Sequence, residues 1–189
     1  MRKSAEIIDI IRDAFKQLPV GLQLLFPLAD GEMKTVDSPE VEYLFGSSQY
    51  IKDVLDTYSK SPATSDESKF PLIALFTPIE EERGDEYAKT AKVSLIIACS
   101  SRKDWNNEER EQYSFVNILR PIYNRLLDVL LADKRIDWGY SEKIPHNYSE
   151  NYDYGRYGAY TDSGEEVSEP IDAINIRSLE IKVHYPNCR

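Results

Sequence analysis

Few side chains in this chain can do metal or covalent chemistry, and the most suggestive lie near its C-terminal end. Asp172 stands two residues after Pro170, and Glu180-Ile181-Lys182 follows within the same apolar stretch. Paired carboxylates can hold a divalent ion while a nearby lysine helps activate water. On an extended strand Glu180 and Lys182 share one face, as that chemistry needs. A simpler origin competes with it: Leu179, Ile181 and Val183 face a core, so the residues between them are polar in any case. The two histidines, His146 and His184, belong to no Ser/His/Asp or Cys/His arrangement, and two alone are an incomplete metal site. The 8 glycines are scattered and form no loop that would cradle a phosphate. Cys99, inside an apolar run, and Cys188, next to the last residue, read as free thiols. No cofactor is implied.

The trio Asp172, Glu180 and Lys182 resembles the PD-(D/E)xK nuclease pattern, which implies a metal-dependent nuclease as the alternative reading. Charge weighs against it. The chain has 189 residues with 23 Lys+Arg against 33 Asp+Glu, a net charge of −10. Binding along a phosphate backbone or to an anionic membrane rests on lysine and arginine. Sequence-specific nucleic-acid binding and membrane association are therefore not expected, and no apolar stretch approaches the roughly 18 residues that a spanning helix needs. The N-terminus, interrupted by Glu6 and Asp9, lacks the apolar centre of a signal peptide, so a soluble protein starting near Met1 is expected.

A second group of residues suits binding rather than catalysis. Between 140 and 160 lie Tyr140, Tyr148, Tyr152, Tyr154, Tyr157 and Tyr160, interleaved with Gly, Asn, Asp and Ser. Tyrosine on an adaptable backbone supplies rigid amphipathic contacts, the physics of a protein-binding loop. The competing readings are a surface loop over the core rim and a base-stacking strip, the latter disfavoured because Glu150, Asp153 and Asp162 outweigh Arg156. Arg83-Gly84-Asp85 spells a cell-adhesion tripeptide by coincidence, but Glu81 and Arg83 are candidate contacts at a hairpin tip.

The elements that must position these residues form an α+β pattern. Apolar residues at three- and four-residue steps from Ile7 to Leu18, with Ser4 as N-cap, predict a helix over 5–17 that Pro19 ends. An edge hairpin is expected over 21–36, turning at Asp30-Gly31, then a strand carrying Val41, Tyr43 and Phe45. Ser47 or Ser48 caps a helix with Ile51, Val54, Leu55 and Tyr58 inward, and 61–69 is a polar loop. The runs 70–77 and 93–99 read as central strands of a long-armed hairpin. An apolar stripe from Phe115 to Leu130 predicts a helix over 107–132, kinked or restarted where Pro121 breaks the ladder at Asn117. The Tyr-rich stretch, about 137–168, shows no period and reads as an irregular insertion. The last strand changes phase between Ile176 and Leu179, predicting a bulge at Arg177-Ser178. The whole is a single domain over 1–189, with a mostly antiparallel sheet of about four to five strands packed against two to three helices on its buried face.

Four segments carry a family resemblance: Val41-Glu42-Tyr43-Leu44-Phe45-Gly46, the run from Lys69 to Pro78, Leu119-Arg120-Pro121-Ile122-Tyr123, and Asp172-Ala173-Ile174. Together they resemble phage and prophage proteins of Bacteroidetes-type genomes, and the element order resembles the tail-terminator and tail-completion (head–tail joining) proteins. That resemblance implies a non-enzymatic virion-assembly protein, with an accessory interaction module of the same fold as a further alternative beside the nuclease. It would form a homo-oligomeric ring and meet tail-tube or head–tail connector proteins, first in the bacterial cytoplasm and then in the tail or neck of the virion. A negative charge repeated around such a ring would line a DNA passage without adhering to it.

Overall fold

In a computed structural model, the structure describes residues 6–28, 31–59, 70–139, 143–160 and 166–185; within two of its elements the side chains of 55–59, 156–160 and 166–169 are not described. The fold is α+β, with eight strands in two sheets and three helices among the described residues. Helix α1, Ile7–Gln17, buries Ile7, Ile10, Ile11, Ala14 and Phe15 along one stripe. Glu6 rather than Ser4 occupies its N-cap, and Ser4 lies outside the described residues. Strands β1, Gln23–Pro27, and β2, Met33–Asp37, form the expected hairpin as a separate two-stranded sheet.

The main sheet has six strands. Strand β3, Glu42–Gly46, runs parallel to β4, Leu72–Phe76, across helix α2, Ser48–Ser59, as a helical crossover permits. Every other pairing is antiparallel: β4 with β6, Ala88–Ser100; β6 with the three-residue β5, Glu80–Glu82, and with β8, Glu166–His184; and β8 with β7, Asn147–Tyr160. The order is β3-β4-β6-β8-β7. The sheet is thus mostly antiparallel as expected, but larger than the four to five strands read from the sequence. Three consecutive glutamates concealed β5, and the tyrosines concealed β7.

Helix α3 spans 107–132 in three stretches. Asn106 caps the opening turn, Asn107–Arg110, in a reciprocal capping box with Glu109. A π-helical stretch, Glu111–Leu119, follows, then regular α-helix over Arg120–Ala132 with Pro121 in its first turn. The predicted restart therefore occurs where the proline removes an amide that interior positions require.

Two cores result, one on each face of the sheet. On one face α1, β1 and α3 bury Phe115, Leu119, Ile122 and Leu126 against Ile97, Ile174, Ile176 and Leu179. On the other, α2 places Ile51 against Leu72, Ala74, Ile96, Ala98, Ile171 and Ala173. Helices cover both faces, not one; the apolar residues of β4 and β6 on both phases are the reason, since a strand covered on one side only would alternate. The bulge at Arg177-Ser178 is present: Ile176 pairs Leu95 and Leu179 pairs Val93, so two residues oppose Ser94, and Ser178 takes a positive φ of 55°.

The Tyr-rich stretch is corrected in part. It is not an irregular insertion: 147–160 is the outermost strand of the main sheet, while 140–142 and 161–165 lie outside the described residues. Its period is two, but the inward side chains are Tyr148, Glu150 and Tyr152, which a hydrophobicity reading scores as polar.

Candidate protein-interaction site

Strand β7 is held against α3 by an aromatic and ionic seam. Tyr152 packs on the fully buried Phe115 with centroids 4.6 Å apart, and Tyr148 on Tyr123 at 4.8 Å. Between them Arg120 clamps Glu150 in a two-pronged pair, Nε to Oε1 at 2.7 Å and Nη2 to Oε2 at 2.9 Å, with Glu111 3.4 Å from the same guanidinium. The Tyr148 hydroxyl also donates to Glu150. Arg120 is the main reason that the Glu150 carboxyl is held below its usual range, while burial, with Glu150 beside it, raises the Tyr148 phenol. His146 continues the seam: its Nδ1 lies 2.8 Å from the Ile144 carbonyl, which can only accept, so Nδ1 carries a proton, and its Nε2 lies 2.8 Å from the Tyr123 hydroxyl.

One side of each ring remains in water. Tyr148 is 41% exposed, Tyr152 38% and Tyr154 48%, a row of half-covered aromatics on an edge strand of the kind that partner proteins use. Tyr157 and Tyr160 follow on the same strand, their side chains outside those described.

The nuclease trio is not assembled. Asp172 points into the α3 face with Ile174 and Ile176, whereas Glu180 and Lys182 alternate with core residues of that same face across the bulge and so lie on the other. Eight residues of strand separate Asp172 from Glu180, roughly 25 Å. Glu180 sits opposite Lys92, and Lys182 opposite Thr90, as polar cross-strand neighbours. Among the described residues no three His, Cys, Asp or Glu side chains converge where a metal could bind.

Asp172 does something else. It is fully buried, not on the strand surface, and its carboxylate accepts both prongs of the Arg110 guanidinium, Nε at 3.1 Å, together with the Asp153 amide at 3.0 Å. Three residues of β7, Tyr152 to Tyr154, bulge opposite this one position, and Asp153 turns to a positive φ of 58° to aim its amide at the carboxylate. One side chain thereby ties the start of α3 to the edge strand. Cys99, its neighbour across the ladder, is buried, and burial first and the Asp172 charge second push its thiol far up, which makes it inert as a nucleophile.

Glu81 and Arg83 are engaged with each other at 2.7 Å. Glu81 is only 15% exposed and turns toward Lys89, itself 1% exposed and bonded to Glu6 at 2.6 Å. Arg83 remains outward; Glu81 does not. The pairings of Arg110 with Asp172 and of Arg120 with Glu150 were not readable from the sequence, because ion pairs between residues 62 and 30 apart leave no spacing signal.

Searched against family models and curated proteins, the chain matches none. Among the described residues, no helix is long and apolar enough to cross a membrane.

Proposed function

We propose that this chain is a non-enzymatic phage or prophage structural protein of the head–tail joint, a tail terminator or a close functional equivalent, working as a ring of its own copies against tail-tube or connector proteins. The observation that supports it most is the β7–β8 ribbon. Its pairing continues from Gly155↔Ile171 through Tyr160↔Glu166, five residue pairs beyond the point where β6 ends at Ser100. This outer part, here called the arm, runs past the end of β6 with exposed tyrosines along its root, while α2 also lies close to β7. A ribbon that outruns its sheet neighbour in this way has the form of a contact element. On this reading assembly takes place in the bacterial cytoplasm and the product sits in the tail or neck of the virion, its −10 charge per copy facing the DNA passage without gripping it.

The test is light scattering of the purified chain across concentration, paired with co-sedimentation on tail tubes of the phage or prophage that encodes it. Ring-sized species or tube-bound protein is the expected result. A chain that stays monomeric and fails to bind tubes overturns the proposal.

A further inference from the structure

Resting on that assembly reading, the geometry points to the partner of the arm: the arm of a second copy, added head to tail so that the β7 edge of one ribbon pairs with the β8 edge of the next. The hydrogen-bond phase defines both edges. The Ser101 amide donates to the Pro170 carbonyl at 2.8 Å, so Pro170 turns its backbone toward β6. Sides alternate residue by residue in an antiparallel ladder, and in a non-hydrogen-bonded pair both residues turn away from each other. Ser168 and Glu166 therefore aim N–H and C=O past the end of β6, and their opposites Gly158 and Tyr160, like Arg156, aim theirs away from β8. Among the described residues no strand pairs with either edge of the arm.

A two-stranded ribbon is marginal in water, and open edges of this kind are filled by a further strand. Charge selects which strand. The β7 side of the arm, Arg156 to Tyr160, carries +1, and the β8 side, Glu166 to Pro170, carries −2 through Glu166 and Glu169. Joining β7 to β7 or β8 to β8 about a two-fold axis sets like charges together; only the β7-to-β8 seam is complementary. It is also the seam that keeps all arms pointing one way and stays antiparallel at every joint, because β7 and β8 run in opposite directions. A heterologous contact of this kind generates a ring where its rotation closes.

Variants Gly158→Cys and Ser168→Cys of the full chain, each in a Cys188→Ser background that leaves the buried Cys99 as the one other thiol, test this seam. They are mixed in equal amounts under mild oxidation, with and without tail tubes, while light scattering follows assembly. Cross-links between the two different variants are expected. Cross-links of either variant with itself mean two-fold pairing and overturn the inference. Assembly or tube binding without cross-links overturns the arm seam and leaves the assembly reading standing, whereas no assembly and no tube binding removes both. A charge swap controls for folding: Arg156→Glu should weaken association about two- to fivefold per seam, and adding Glu166→Arg and Glu169→Arg should restore it.

Discussion

Removing Arg110 tests whether Asp172 is a structural clamp or a spare catalytic carboxylate. The Asp172 carboxylate is fully buried and has three donors, two from a guanidinium whose side chain is 11% exposed and one from the Asp153 backbone. Arg110→Met leaves that charge in the core with a single amide for company, and breaking a buried pair in this way costs about 3–5 kcal/mol. Against a total stability of about 5–15 kcal/mol for a domain, the loss is large. Replacing both partners, Arg110→Met with Asp172→Leu, removes the stranded charge. What then remains unsatisfied is the Asp153 amide, at about 1–3 kcal/mol. The double variant is therefore expected to be more stable than the Arg110 single variant, a reversal that additive contacts do not produce. Urea unfolding followed by circular dichroism and tyrosine fluorescence gives the midpoints, with a constant slope checking that the transition is unchanged. An Arg110→Met cost under about 1 kcal/mol, the value typical of a solvated surface pair, would refute the clamp. So would a double variant no better than the single.

Other expectations follow from the same seams. Arg120 holds the Glu150 carboxyl below its usual range, so this pair stabilises the fold above the ordinary carboxylate pKa of about 4.3 and that contribution is lost as pH falls through the lower folded value; Arg120→Met should flatten the acid limb of a stability-against-pH curve. Glu6→Ala strands the buried Lys89, with Glu81 3.8 Å away as partial relief, and should lower stability by about 1–3 kcal/mol, visible in thermal melts, whereas Lys89→Met should cost less. Tyr154→Ser on the exposed row should change stability by no more than about 0.5 kcal/mol yet weaken tube binding or self-association, and unchanged association would remove that tyrosine from the interface. Incubation of the chain with DNA and Mg²⁺ or Mn²⁺ should give no cleavage; cleavage that disappeared in Glu180→Gln would restore the nuclease reading.

Local chemistry was readable from the residues alone. The α1 stripe from Ile7 to Phe15, the Pro121 restart in α3 and the phase change at Arg177-Ser178 each depend on neighbours within a few positions, and each is found in the fold. The α+β class followed from the same periodicities. Long-range pairing did not. Strand β5 exists only because β6 is long enough to receive it, and three glutamates carry no intrinsic strand signal. Strand β7 exists because β8 and α3 supply partners for polar aromatic side chains that no apolar alternation would reveal. The fate of Asp172 and Glu180 shows the limit most sharply. In sequence they are neighbours in one motif, but a single extra residue at the bulge reverses the face of everything beyond it, sending one carboxylate into the core under Arg110 and the other into water. A period-two chain records which residues alternate; which face each phase takes is decided by what packs on the sheet.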